Sequence, residues 1–369
     1  MKKAITSLYR TLSNYIQIGN DVDISRLTKK AQKGHINAQF ELGLLYTRGE
    51  GVNQDYAQSK RWYEKAALQG CPEAQSNLGN LYQNGFGVPQ DYSQAKLWYE
   101  KAALQGNATA QFNLAILHEH GAGIHQSYEQ AKYWHEKSAK QGFPYAEYHL
   151  GVLYAEGLGI GQDYEQAKYW YEKSAEKDHA DAQLNLGLLY HIGLGVSKSE
   201  AQAKLWYEKA ALQGNVEAQS HLGSLYCISQ DYTQGLYWNE KAAKQGNAAA
   251  QSNLGVQYEK GQGAPQDYLQ AKYWFEKSAE QGHEAGQSNL GVLYEVGFGV
   301  RQDYTKAYFW YEKSAQQGYG EAQFNLGSLY LNGFGVQQNN TVAKEWFGKS
   351  CDNGFQKGCD KYRELNEAL

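Results

Sequence analysis

Proline is nearly missing from this chain: there are four in 369 residues, beside 40 glycines. Glycine in that abundance without proline argues against a collagen-like or a disordered polypeptide. An excess of either charge is missing too, with 35 Lys and Arg against 39 Asp and Glu and a net charge of −4. The two signs are interspersed, so the basic footprint of a nucleic-acid or anionic-membrane binder is not there and neither partner is expected. No stretch of 18 apolar residues occurs, which excludes a membrane-spanning helix and leaves no membrane insertion to expect. The chain has no HExxH motif and no Cys/His cluster with zinc spacing. His118 and His120 are two apart and cannot share a helical face, so the ten histidines read as scattered and no metal site is expected. The Gly-x-Gly segments follow helices and lack a companion Lys-Ser/Thr, so they read as helix ends and not as phosphate loops. No cofactor and no catalytic residue is expected.

What is plentiful is aromatic: 31 tyrosines and nine tryptophans. A chain this long exceeds one ordinary core, unless repetition lets a single body grow in one direction. Residues 1–19 open with Lys2 and Lys3 like an export signal, but Arg10, Asn14 and Gln17 interrupt the apolar stretch and no small-residue cleavage site follows. The segment reads as an amphipathic helix of a cytoplasmic protein; export, to a periplasm for example, is the alternative.

Internal repetition is unmistakable. Copies open at Ala38, Ala74, Ala110, Ala146, Ala182, Ala218, Ala250, Gly286 and Ala322, 36 residues apart except for 32 after Ala218. All nine tryptophans fall at one position of the repeat: Trp62, Trp98, Trp134, Trp170, Trp206, Trp238, Trp274, Trp310 and Trp346. Each copy reads as two helices. In the second copy Ala74, Leu78, Leu81 and Tyr82 form one apolar stripe, with Gly79 on it to admit a close neighbour. Gly85 and Gly87 end that helix. Asp91 then caps the next one, with Gln94 three residues on as the other half of a capping box. The other copies place Asp55, Ser127, Asp163, Ser199, Asp231, Asp267, Asp303 and Asn339 there, all good N-caps. Ala95, Trp98, Tyr99, Ala102 and Ala103 form the buried face of the second helix, and Gly106 stops it. Neither helix buries its stripe alone, so stacked copies must share one core.

The pattern Ala-x-x-x-Leu-Gly-x-x-Tyr-x-x-Gly-x-Gly-Val-x-x-Asp-x-x-x-Ala-x-x-Trp-Tyr-x-Lys-Ala-Ala-x-x-Gly resembles the Sel-one-like repeat (SLR) family. Those repeats look like tetratricopeptide repeats with a longer turn. The resemblance implies an all-α fold, a right-handed α/α superhelical solenoid of tandem helix-turn-helix repeats. Nine repeats span 38–357. Residues 1–37 read as degenerate N-terminal capping helices, with Leu8, Leu12, Tyr15 and Ile16 on one and Leu27 and Ala31 on the next. Residues 358–369 read as a polar C-terminal capping helix. The sixth copy departs from the pattern: Tyr226 to Asp231 lacks the glycine turn, and a local change of superhelical twist is expected there.

Function follows from the resemblance less sharply. It implies a non-enzymatic adaptor that binds a protein or peptide, with the chain itself a monomer. The alternatives are an immunity protein that blocks a toxic effector enzyme, or a secreted host-directed effector; a hydrolase is the least expected. The third, seventh, tenth and eleventh positions of the first helix vary between copies and share a face. By analogy with tetratricopeptide repeats that face lines a concave groove. Its apolar middle is Phe112 and Ile116, Tyr148 and Val152, Leu184 and Leu188; packing of these residues against the next copy is the competing reading. The fourth position forms a polar ladder that includes Asn77, Asn113, His149 and Asn185, suited either to clamping a peptide backbone or to bonding between repeats. Cys351 and Cys359 have the spacing of the disulfide-bearing, exported SLR branch; in a reducing compartment they are free thiols.

Overall fold

The computed structural model describes residues 23–367, which contain twenty helices and no strand. Consecutive helices pack in pairs, so the chain is an all-α tandem-repeat solenoid. Leu8, Leu12, Tyr15 and Ile16 lie outside the described residues. The chain divides into two compact units, residues 1–177 and 178–369. The first contains α1 (Ile24–Gln32), α2 (Ile36–Arg48), α3 (Tyr56–Leu68), α4 (Pro72–Asn84), α5 (Tyr92–Leu104), α6 (Ala108–His120), α7 (Tyr128–Ala139), α8 (Pro144–Glu156) and α9 (Tyr164–Ala175). The second contains α10 (Ala180–Ile192), α11 (Glu200–Leu212), α12 (Val216–Ile228), α13 (Tyr232–Lys244), α14 (Ala248–Lys260), α15 (Tyr268–Glu280), α16 (Glu284–Val296), α17 (Tyr304–Gln316), α18 (Gly320–Asn332), α19 (Asn340–Asp352) and α20 (Gln356–Glu367).

Apolar spacing and small residues explain the pairing. Trp98 of the second copy lies in one buried cluster with Tyr63, Ala66 and Ala67 of the first and with Ala74, Leu78 and Leu81 of its own copy. Neighbouring copies therefore share side chains, and each buried aromatic removes about 150–250 Å² from water. Gly79 is needed for the close pairing of α4 with α5 inside the copy. A Cβ there would stand 2.7 Å from the Tyr99 ring and 3.2 Å from the Ala95 carbonyl. Gly87 is required twice over: its φ is +68°, and a Cβ would fall 2.6 Å from the Tyr56 backbone in the preceding copy.

All nine expected N-caps accept a backbone N–H with their side chains; Asp91 takes those of Ser93 and Gln94. The reciprocal half of the capping box is a different matter. The Asp91 N–H donates to the Tyr82 carbonyl at 2.9 Å, so it has no need of the Gln94 side chain. The short sixth connection keeps this anchor, with the Asp231 N–H donating to Tyr226 at 2.9 Å. Gln230 takes a φ of 64° there, where other copies use glycine.

A buried amide relay ties successive copies together. In the second copy Gln75 Nε2 donates to the Ala67 carbonyl of the first copy, while its Oε1 accepts from Gln105. Gln39, Gln111, Gln219, Gln251 and Gln287 do the same with their own neighbours. The relay satisfies the last carbonyls of one helix from inside the next repeat, and buried amides paired on both sides specify register as well as stability. In the fourth copy Glu147 and Lys177 replace the two glutamines and form an ion pair.

At the C-terminal end the Cys351 and Cys359 sulfurs are joined across α19 and α20, with Cα atoms 4.4 Å apart. The crosslink closes a loop eight residues in sequence separation, which the chain-entropy account values at about 2–3 kcal/mol. Dithiothreitol is therefore expected to release amide protection across residues 356–367 in hydrogen exchange, while α2–α9 stay unchanged. Intact mass without reductant showing two free thiols at 351 and 359 would refute the crosslink.

Candidate functional site

The first-helix face is less open than its variability suggests. Phe112 is only 4% exposed, and its ring sits against Phe143, Tyr145, His135 and His149 at 5.3–6.1 Å. This corrects its assignment to a partner groove: a ring already packed between two copies has no surface left to offer. Asn113 is likewise buried. Ile116 packs on the cluster of Phe112, Ala146 and Leu150, and remains half-buried. Tyr148 and Val152 are half-buried, Tyr148 lying 6.0 Å from the Tyr171 ring. In the second unit Leu184 and Leu188 pack, half-buried, on the cluster of Ala218, Leu222 and Leu225. Asn185 is half-buried as well.

The fourth-position ladder bonds backwards along the stack. Asn253 Nδ2 donates to Ser224 Oγ at 3.0 Å, and Asn289 Nδ2 to Ser252 Oγ at 3.4 Å, both in the preceding copy. Asn77 bonds the Tyr63 hydroxyl, and His149 Nδ1 meets Glu119 Oε2 at 3.2 Å. These side chains face the neighbouring repeat, which favours the structural use of the ladder.

An apolar surface absent from the expectations lies on the second helices, at the residue before each tryptophan. In the first unit it comprises Leu97, Tyr133 and Tyr169; in the second, Leu205, Tyr237, Tyr273 and Phe309, whose exposures run from 44% to 48%. Tyr237, Tyr273 and Phe309 stand edge-on to the next tryptophan at 4.9–5.0 Å. Lys241, Lys277 and Lys313, one turn on, place their ammonium groups 4.4, 6.0 and 4.5 Å from these rings. The terminal copies carry Arg61 and Glu345 at this position. The signal was in the sequence, as an apolar residue at a position where a solvent-facing helix needs none.

The histidines do not all scatter. Glu119 on α6, His135 on α7 and His149 on α8 meet, with their donor atoms all within 4.8 Å of one another. His135 Nε2 is 2.9 Å from Glu119 Oε1, and the two imidazole rings stack at 5.1 Å. Burial pushes the His135 pKa down to about 4, so its ring is neutral at neutral pH. Burial also opposes ionisation of Glu119, but the hydrogen bonds to His135 and His149 outweigh it and hold the carboxyl well below the usual carboxylate range. Sequence reading missed this group because its members are 16 and 14 residues apart. The traceable signal was threefold: Glu119 at a variable position, His135 where the motif has Tyr after Trp, and His149 where the ladder has Asn.

A family model described as the Sel1 repeat matches residues 36–71, 72–107, 108–143, 144–179, 180–215, 216–247, 248–283, 285–319 and 320–355. Among solved structures, the chain is similar to a protective antigen present in uropathogenic Escherichia coli strains that displays an SLR fold. The identity is 31% and the TM-score 0.65, over 95% of this chain and 91% of the antigen. It is also similar to a Sel1 repeat protein from Oxalobacter formigenes, at 27% identity and a TM-score of 0.44 over 94% of this chain and 90% of that one. An immunity protein from Pseudomonas aeruginosa is similar at 22% identity and a TM-score of 0.36, over 58% of this chain and 82% of that one. No curated protein matches the chain.

Proposed function

Because this chain belongs to the Sel1 repeat family, a scaffold typical of protein–protein interaction, we propose that it is a non-enzymatic adaptor holding a protein partner on its second-helix ridge. The recurring exposure of Tyr237, Tyr273 and Phe309 in the second unit carries this reading. These rings lie outside the buried core clusters, and exposed aromatics at regular spacing are what interface hot spots are made of. The lysine beside each ring adds a cation, so the fitting partner is a protein segment bearing apolar and acidic side chains.

The first-helix face is the second reading, favoured by the partial exposure of Tyr148, Val152, Leu184 and Leu188. Two variants separate the two. Tyr237→Ser/Tyr273→Ser/Phe309→Ser strips the ridge and Tyr148→Ser/Val152→Ser strips the other face. In quantitative affinity capture from the native organism, the ridge variant is expected to lose its main partner at least tenfold, the loss of about 1.4 kcal/mol of binding energy. Undiminished capture by the ridge variant overturns the assignment, and loss confined to the other variant moves the partner to the first helices. The identity of the captured protein then decides between a general adaptor and an inhibitor of one effector enzyme.

A further inference from the structure

We propose that Glu119, His135 and His149 form a binding site for a divalent transition-metal ion, zinc before the others. The three donors come from α6, α7 and α8, in two consecutive copies, so the site is a product of the stack and not of one helix. Two imidazoles and a carboxylate are the borderline nitrogen and oxygen donors that zinc accepts. With bonds of about 2.0–2.1 Å, tetrahedral donors stand about 3.4 Å apart. His135 Nε2 lies 2.9 Å from Glu119 Oε1 and His149 Nδ1 lies 3.2 Å from Glu119 Oε2, so each imidazole faces its own carboxylate oxygen, and one donor atom from each of the three residues falls within 4.8 Å of the others. Drawing all three donors to the tetrahedral spacing needs the carboxylate and His149 to turn toward one ion, and the His149 side chain, 26% exposed, is the member least held by burial. That exposure also leaves a way in for the ion and room for water as the fourth ligand. Phe112 packs at 5.6 and 5.5 Å from the two imidazoles and walls the other side with an apolar ring.

Other copies show that the fold does not need these ligands. The equivalent junctions pair Thr47 with Tyr63 and Gln83 with Tyr99, through a phenol hydroxyl. Only the third copy replaces that aromatic by histidine, and it does so with a compensating change. Ala115 stands where the other eight copies have glycine, a methyl that the smaller imidazole admits. Tyrosine hydroxyls bond across the junction in the first, second and eighth copies; in the third copy all three members are metal-ligating side chains.

Ligation has one cost. In the hydrogen-bonded junction Nε2 of His135 carries the ring proton, and binding a metal there moves it to Nδ1, which is buried without a partner. A missing outer hydrogen bond weakens metal binding about 10–100-fold, so the expected affinity is on the order of micromolar and short of a structural zinc site.

The test uses the full chain without a histidine tag, stripped with chelator, then titrated with Zn²⁺ by calorimetry and with Co²⁺ by visible absorption. One equivalent is expected to bind, with cobalt bands of a low-coordinate nitrogen and oxygen site. His149→Asn restores the residue that six other copies carry, and Glu119→Gln keeps the shape but removes the charge. Each is expected to weaken that equivalent at least about 100-fold while leaving the helical circular dichroism intact. His221→Asn in the second unit serves as control and is expected to bind like the parent. Ala115→Gly/His135→Tyr rebuilds the neighbouring copies' junction and is expected to fold without binding. Absence of a stoichiometric equivalent in the parent chain overturns the site, as does parental affinity in His149→Asn.

Discussion

Tyr99→Ala is expected to destabilise the first unit by about 3–5 kcal/mol, and Tyr99→Phe by about 1–2 kcal/mol. The difference separates two roles of one side chain. The ring is fully buried and packs with Ala95, Ala102, Ala103, Ala110, Leu114 and Leu117, so it joins the second copy to the third. Its removal leaves a cavity that the helical backbones around Gly79 cannot collapse to fill. The hydroxyl donates to Gln83 Oε1 at 2.9 Å, and burial holds the phenol far above its usual range, so it stays a donor at any working pH. Phenylalanine keeps the packing and strands one buried acceptor. Repeat arrays lose two-state behaviour easily, so the measurement is urea-dependent hydrogen exchange read over residues 72–120. Equal costs for the two substitutions would mean that the hydroxyl and not the ring holds this junction. A cost below about 1 kcal/mol for alanine would remove the aromatic ladder as the glue between repeats.

The parts of the fold that recur were legible. Nine tryptophans at one position, interchangeable N-caps and paired glycines each serve a need that every copy shares, so the sequence repeats the answer. The candidate site was less legible for a physical reason: variation between copies was read as freedom. In the third copy it is compensated variation. Phe112 stands where Ser76 and Ser220 stand in other copies, and the extra volume is taken up by Phe143, Tyr145 and His149. Ala115 and His135 exchange size with each other. Glu119, His135 and His149 exchange a hydroxyl junction for a charged one. A variable residue is free for a ligand only when its contacts are not varying with it, and contacts between helices of different copies are invisible to a count along the chain. The second-helix ridge escaped for the opposite reason. Its position is apolar in seven of the nine copies but lies outside the stripe assigned to the buried face, and only the structure shows the rings standing in solvent.

The fourth copy supplies the sharpest test of compensated variation. Glu147 takes the place of the relay glutamine and is only 3% exposed, and Lys177 takes the place of its partner. The Lys177 ammonium bonds the Glu147 carboxylate and also donates to the Gly142 carbonyl at 3.0 Å. Removing the lysine alone leaves a carboxylate in a site built for an amide. Loss of one partner of a fully buried pair costs about 3–5 kcal/mol, and because this ammonium is about a third exposed the expected cost of Lys177→Ala is about 2–3 kcal/mol. Glu147→Gln/Lys177→Gln restores the relay of the other copies. It is expected to be within about 1 kcal/mol of the parent or more stable, because a neutral pair has less desolvation to offset. Glu147→Gln, Lys177→Gln and their combination form a cycle, measured by urea-dependent hydrogen exchange over residues 144–177 at low and high salt. The coupling should survive salt better than that of the surface pair Lys60–Glu64, since screening acts weakly on a carboxylate closed off from water. A cost below about 0.5 kcal/mol for Lys177→Ala would mean that water reaches Glu147 when the lysine leaves. The amide relay would then be a consequence of stacking and not one of its causes.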